Sequence, residues 1–308
     1  MIKSGKTHFE PLVLPEFDQD YAFFIDENTD LKQFDISLLI RFLQQHPTGS
    51  VTGICYTRPV PAGIETISID DDYRITSRNT APDQPEGYVT SGITITRKGT
   101  NTANPLLGLP IPRKFHSRKT CDDSLICNKN QSVIDLNKAL FLDRDGVINV
   151  DSGYPHLPEH ITFVDGIFGF CSRFISKGYR IIVVTNQAGI AKGKYPETDI
   201  QPLHAWMASE FLKNGVEITD FAYCPYHAKG SIPRFARDSL LRKPYPGMIL
   251  SMAEKWSIDI SNSVMVGDKT SDRIRLPYLK SVIIRSKYTP EGFDAINLQQ
   301  AADIILHP

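Results

Sequence analysis

Hydrophobic and polar positions fall into a regular rhythm after residue 138. Short apolar runs alternate with longer amphipathic stretches: ALFLD (139–143), DGIFGFCSRFISKG (165–178), RIIVVTN (180–186), DIQPLHAWMASEFLKNG (199–215) and FAYCP (221–225). PGMILSMAEKWSI (246–258), SVMVGD (263–268), SDRIRLPYL (271–279) and SVIIR (281–285) continue the series. Near-continuous apolar runs read as strands buried on both faces, and the stretches between them carry apolar residues three and four apart, as helices do. Phe168, Cys171, Phe174 and Ile175 form one such stripe, and Leu203, Trp206, Met207 and Phe211 another; both read as core, not as ligand positions. Alternating strands and helices predict an α/β domain over residues 138–308, a parallel sheet with helices on both faces.

The first 105 residues follow a different pattern. They predict a helix at SLLIRFLQQH (37–46), strands at SVTGICYTRP (50–59) and GYVTSGITITR (87–97), and a hairpin at ETISIDDDYRIT (65–76), together a smaller α/β domain over residues 1–105. Residues 106–137, rich in proline and basic residues and with little periodicity, read as a linker.

A chain of 308 residues is long enough for these two domains. With 34 basic and 35 acidic residues the formal charge is -1, which offers no general attraction to nucleic acid or anionic lipid, so neither is expected as a partner. Phosphate chemistry, if present, belongs in a pocket. The opening MIKSGKTHFE lacks the apolar core of a secretory signal, and no run approaches the roughly 18 apolar residues of a membrane span, so a cytoplasmic location is expected. Five cysteines, an odd number without a dense framework, fit reduced thiols. Cys121 and Cys127 sit in a polar, lysine-rich segment, where a metal would need two further ligands.

Charge at the strand ends brings in chemistry. In FLDRDGVINV an apolar run ends in Asp143, Arg144 and Asp145, and buried charges are costly unless they meet solvent, a cation or a ligand. In a parallel sheet the crevice lies beyond the carboxyl ends of the strands, which puts Asp143, Thr185 and Asp268 on one rim. A hard divalent cation such as Mg2+ takes oxygen ligands, and Asp143 and Asp268 supply them from two strand ends. Asp143 is then placed to attack phosphorus, and Asp145 to protonate the leaving oxygen. Gly146 allows the sharp turn between the strand end and the loop. Thr185 and Asn186 in VVTNQAGIAKG offer donors to phosphate oxygens, and Lys243 in RKPYPG a point charge for the transferring group. Asp272, one turn beyond Asp268, is a candidate to hold a metal-bound water. Residues 144–184 and 186–242 leave no room for a large folded cap.

The ordered set DRDGVIN, VVTNQAG, RKP and VGDKTSD resembles the haloacid dehalogenase superfamily of phosphatases, and within it the branch of heptose bisphosphate 7-phosphatases and histidinol phosphatases. The resemblance implies a Rossmann-like fold without a large cap and an Mg2+-dependent phosphomonoesterase. It makes Asp143 the nucleophile and a metal ligand, and Asp145 acid then base, with its carbonyl also on the metal. Thr185 and Lys243 would hold the phosphoryl group, and Asp268 would complete the metal shell. NVDSGYPH, TNQAGIAKGKY and CPYH resemble the substrate loops of the heptose enzymes, which points to a phosphorylated sugar used for surface polysaccharide. Arg242 would then meet the distal phosphate, with Lys192 as a second anchor and His156 and Asn186 at the substrate. The alternatives are a histidinol-phosphate or other sugar-phosphate phosphatase, and a binding or scaffold protein with a vestigial site.

Two departures from the family pattern stand out. The structural zinc of the branch uses a Cys and a His on one segment and two Cys before RKP, where this chain has Cys224, Tyr226, Ser239 and Leu241, with His227 one residue out of place. Tetrahedral zinc needs about four N or S ligands, so no zinc is expected, and packing through Tyr226, Phe235 and Leu240 should hold the loop instead. The N-terminal order resembles the middle of a sugar nucleotidyltransferase, but Asn28 falls where the metal-binding Asp should be and the glycine- and arginine-rich nucleotide loop is missing. That implies a degenerate, truncated module suited to packing, self-association or partner binding, with Asp26 and Glu27 as solvated turn residues or binding groups.

Overall fold

The computed structural model describes residues 21–25, 39, 42–43, 50–57, 65–70, 72–80, 85–97, 106–110 and 137–307. The chain forms two compact units, Met1–Ser117 and Arg118–Pro308, divided within the 106–137 stretch.

The first unit is built on β1 (Tyr21–Ile25), β2 (Ser50–Thr57), β3 (Glu65–Ile69), β4 (Ile75–Thr80), β5 (Gly87–Arg97) and β6 (Leu106–Pro110). Their order is β4-β3-β5-β2-β6, with β1 paired to β5. The length of β5 explains the branch: its start pairs with β3 at Tyr88, and Ile93 to Arg97 pair with β1. Leu39, Phe42 and Leu43 are helical and buried, at the i, i+3, i+4 spacing expected of the helix over 37–46. Leu106–Pro110, expected to begin the linker, instead forms β6 in parallel register with β2. Leu107 and Leu109 are buried in it, a short apolar run that the surrounding prolines and basic residues obscured. Asp26, Glu27, Asn28, Cys121 and Cys127 lie outside the described residues.

The second unit carries a five-stranded sheet of β7 (Lys138–Leu142), β8 (Tyr179–Asn186), β9 (Ile218–Cys224), β10 (Val264–Gly267) and β11 (Lys280–Ile283), in the order β11-β10-β7-β8-β9. Every pair is parallel. Leu140, Leu142, Ile181, Val183, Val264 and Val266 join one core with α1 (Ile167–Ile175), α3 (Ile200–Lys213) and α5 (Leu298–Leu306), α2 being the short helix Ala188–Ala191. The buried Met248, Ile249, Leu250 and Ala253 of α4 (Gly247–Trp256) stand outside that core, and α4 packs against β8 and β9. Both faces are therefore covered, as continuous apolar strands require.

Two elements differ from the sequence reading. Only Thr270–Asp272 forms a 3-10 turn, and residues 273–279 do not extend it into the expected helix. Pro277 restricts Leu276 and has no N–H to give, which works against helix over so short a stretch. At the C-terminus, α5 was not foreseen, although Asn297 caps it by accepting from the Gln300 amide at 2.9 Å and Leu298, Ala301, Ala302 and Ile305 keep helical spacing.

The chain runs outward from β7 through β8 to β9, then crosses to β10 and β11 on the other side. The crevice at this reversal opens beyond the carboxyl ends of β7 and β10.

Candidate active site

Asp143 is the first residue beyond β7, and its backbone N–H donates to the Val266 carbonyl of β10 at 2.9 Å, so the sheet itself fixes its position. The Arg144 amide donates to Asp143 Oδ1 at 2.7 Å. Gly146 then turns the chain with φ +104°, and a Cβ there would lie 2.2 Å from Asp268 Oδ2. The glycine serves two ends at once: a backbone conformation closed to L side chains, and the approach of the second carboxylate.

Lys243 is buried, with Nζ 2.9 Å from Asp143 Oδ1 and 2.7 Å from Asp272 Oδ1. The other oxygen of Asp272 accepts the backbone N–H groups of Asp268 (3.1 Å) and Lys269 (3.0 Å). Lys269 Nζ reaches Asp151 Oδ2 at 3.0 Å, the Asp145 carbonyl at 3.2 Å and Asp268 Oδ1 at 3.6 Å. Burial pushes the Asp143 carboxyl up to about 6, with Lys243 opposing and Asp272 adding to the rise. Burial likewise lifts Asp268 to about 7 against the pull of Lys269, with Asp143 and Asp272 adding to it. Burial alone would lower both lysines; the carboxylates outweigh it and hold Lys243 and Lys269 above the usual ammonium value.

Four carboxylates, Asp143, Asp151, Asp268 and Asp272, thus share two ammonium groups. Oxygens of Asp143, Asp268 and Asp272 lie within 4.8 Å of one another, and Asp268 Oδ1 is buried with no hydrogen-bond donor among the described residues. This hard, oxygen-only set with surplus negative charge fits a divalent cation of the Mg2+ type. Asp272 is already committed to Lys243 and two amides, which leaves Asp143 and Asp268 as the available carboxylates.

Asp145 points into a cradle of donors. Its Oδ1 accepts from Arg144 Nε and Asn149 Nδ2, both at 3.0 Å, and its Oδ2 from Arg144 Nη2 (3.0 Å) and Gln187 Nε2 (3.1 Å). Arg144 is wholly buried and also donates to the Pro155 carbonyl at 2.8 Å. Thr185, near the end of β8, is buried and its Oγ1 accepts from Gln187 Nε2 at 2.8 Å. The sequence reading passed over Arg144 and Gln187. The only hint was their type: an arginine between two acids, and a second amide beside Asn186.

Asn186, expected to donate to substrate, gives both ends of its amide to the Lys243 backbone instead, at 3.0 and 3.1 Å. It fixes the segment that carries the lysine. Lys192 Nζ donates to the Tyr154 hydroxyl at 3.3 Å, and Arg242 Nη1 to the Tyr226 carbonyl at 3.4 Å. His227 is held below the usual imidazole value by burial and by the charges of Arg242, Lys192 and Lys229. His156 stacks on Tyr195 at 4.7 Å and meets His160 edge-on at 4.7 Å.

Where the zinc ligands of the resembling branch would stand, Ser239 Oγ accepts from the Leu241 amide at 3.1 Å, and Cys224 Sγ lies 3.8 Å from the Tyr226 carbonyl. Tyr226 packs against Phe235, and the Arg237 guanidinium lies 3.7 Å over the Tyr226 ring. Phe235 joins Ile190, Ala191, Tyr195 and Ile200 in an apolar cluster with Tyr226 against it.

A parallel α/β sheet with an aspartate beyond its central strand, a buried lysine against it and a second aspartate beyond the neighbouring strand, defines a phosphatase of the haloacid dehalogenase superfamily. The polynucleotide kinase 3 phosphatase family matches residues 122–302, and the chain belongs to that family. The D-glycero-beta-D-manno-heptose-1,7-bisphosphate 7-phosphatase of Vibrio cholerae is 47% identical over 134 residues, 44% of this chain and 72% of that one. The D-glycero-alpha-D-manno-heptose-1,7-bisphosphate 7-phosphatase of Burkholderia mallei is 47% identical over 136 residues, again 44% and 72%. Among solved structures, the D,D-heptose 1,7-bisphosphate phosphatase of B. bronchiseptica complexed with magnesium and phosphate matches 55% of this chain and 98% of its own, at 23% identity and a TM-score of 0.45. A likeness of that size adds nothing to the sequence matches. No helix among the described residues is long and apolar enough to cross a membrane.

Proposed function

We propose that the second unit is an Mg2+-dependent phosphomonoesterase that removes the 7-phosphate of a D-glycero-D-manno-heptose 1,7-bisphosphate. The observation that carries the substrate is the 47% identity to enzymes of that name over 134 residues. The chemistry rests on Asp143, Lys243 and Asp268 meeting, buried, at adjacent strand ends.

Asp143 attacks phosphorus, forming an acyl phosphate while the bond to the sugar oxygen breaks, and Asp145, which has to enter this step protonated and with one oxygen released from its donors, gives that oxygen its proton. As a carboxylate, Asp145 then takes a proton from the water that attacks the acyl phosphate, which frees phosphate and restores Asp143. Lys243, anchored by Asp272, and Thr185 meet the phosphoryl oxygens as charge moves onto them. The carboxylates of Asp143 and Asp268 and the Asp145 carbonyl would hold Mg2+, which would supply positive charge to those oxygens. Arg242, with Lys192 beside the loop, receives the distal phosphate, and His156 lines the sugar. Arg can grip a phosphate with two parallel hydrogen bonds, which favours a bisphosphate over histidinol phosphate.

The test is phosphate release from a panel: both anomers of heptose bisphosphate, other sugar phosphates, histidinol phosphate and a 3′-phosphorylated oligonucleotide, with wild type and Asp143→Asn. Release from heptose bisphosphate that the substitution abolishes supports the reading. Preference for another member reassigns the substrate, and silence across the panel overturns the catalytic reading.

A further inference from the structure

Tyr195 and Gln187 have no part in the chemistry above, yet both are buried and both lead to it. Tyr195 follows α2, and a Cβ on Gly189 would stand 2.2 Å from its ring, so the bare glycine is what admits the ring there. Burial raises the Tyr195 phenol above its usual value, which keeps it protonated and able to donate. Its hydroxyl donates to Gln187 Oε1. Arg144 Nη2 donates to the same oxygen at 3.1 Å.

These two donors decide which way the amide faces. A guanidinium has no acceptor, so the end of Gln187 against Arg144 must be the oxygen, and the NH2 end turns to the catalytic side. There it donates to Asp145 Oδ2 at 3.1 Å and to Thr185 Oγ1 at 2.8 Å. A threonine oxygen that accepts the amide proton keeps its own O–H for another acceptor, here a phosphoryl oxygen.

We propose that Tyr195 and Gln187 are positioning residues which, through one oriented amide, aim both the acid Asp145 and the Thr185 hydroxyl; this rests on the phosphatase reading. Their effect falls on the step in which the P–O bond breaks and the leaving oxygen takes its proton from Asp145. A nitrophenolate leaves without that proton, whereas a sugar alkoxide requires it.

The experiment compares Tyr195→Phe and Gln187→Leu with wild type, in the full chain with Mg2+. It measures single-turnover leaving-group release and KM for two substrates: p-nitrophenyl phosphate, and the alkyl phosphate of the panel that wild type hydrolyses fastest. Loss in each variant should be roughly tenfold greater on the alkyl phosphate than on the nitrophenyl ester, within the range general acids supply, with KM little changed. Tyr195→Phe keeps the ring and its stack on His156, so its result decides the matter if Gln187→Leu fails to fold, as judged by melting. Equal losses on both substrates, no loss on either, or a change confined to KM overturns the inference and leaves the phosphatase reading standing. Wild type inactive on both substrates overturns the phosphatase reading, and the inference with it.

Discussion

The ammonium of Lys243 stands 2.9 Å from Asp143 Oδ1 and 2.7 Å from Asp272 Oδ1, and all three side chains are buried. Removing the cation leaves two buried carboxylates facing each other. Lys243→Met should lower stability by about 3 kcal/mol, typical of breaking a buried ion pair from one side, and phosphate release should fall with it. Asp143→Asn takes away one of the crowded carboxylates instead, and should abolish release while leaving the melting temperature in EDTA equal or higher. Urea titrations and melts of the two variants check this. Comparable destabilisation by both would mean that Asp143 serves the fold as much as the site.

The surplus of carboxylate over ammonium predicts stabilisation by metal that can be read without turnover. Mg2+ should raise the melting temperature of wild type, by an amount equivalent to about 2.7 kcal/mol at a hundred times its dissociation constant. EDTA should reverse the shift. Asp268→Asn should reduce it sharply, because Asp268 Oδ1 is a buried oxygen that lacks a hydrogen-bond donor among the described residues. An undiminished Mg2+ shift in that variant would remove Asp268 from the metal site.

Much of this arrangement could be read from the chain, for a physical reason. Asp143, Thr185 and Asp268 end or follow apolar strands, and in a parallel sheet such ends share one rim, so local pattern alone brings distant residues together. The role of Asn186 could not be read in this way. Its partner is the backbone of Lys243, and nothing in the two segments distinguishes an amide that binds a ligand from one that binds a loop. Arg144, Gln187 and Tyr195 were hidden similarly, since their roles lie in hydrogen bonds across loops. The strand Leu106–Pro110 was missed because its partner β2 lies far back in the sequence, and the nonexistent helix at 271–279 was suggested by apolar residues that are buried without being helical.

Gly146 offers a test of how tightly the rim is built. With φ at +104° and a Cβ only 2.2 Å from Asp268 Oδ2, alanine brings both backbone strain and displacement of the carboxylate. Gly146→Ala should cost about 1–3 kcal/mol in urea unfolding. It should also weaken the Mg2+ melting shift, which separates it from Gly166→Ala: Gly166 has φ +79° with nothing within 4 Å of its Cβ position, so alanine there displaces no carboxylate. Equal Mg2+ shifts in the two variants would show that the close approach to Asp268 does not matter.

His204 predicts how stability depends on pH away from the catalytic groups. Its ring, on α3, stacks on Phe221 at 4.4 Å, and its Nε2 is buried without a hydrogen-bond partner among the described residues. Burial, with the Arg144 charge adding to it, lowers its pKa from 6.5 to about 3. The folded protein therefore holds the neutral ring, while the unfolded chain takes up a proton below 6.5. Stability from this residue is complete above that value and drains away as pH falls toward 3, amounting to about 2 kcal/mol lost by about pH 5. His204→Phe keeps an aromatic ring in the stack and has nothing to titrate. Urea unfolding at about pH 7.5 and about pH 5 should show a decline smaller by that amount in the variant than in wild type. Identical declines would mean that the imidazole finds a proton-compatible place in the folded protein, and that the acid sensitivity of this unit comes from its carboxylates alone.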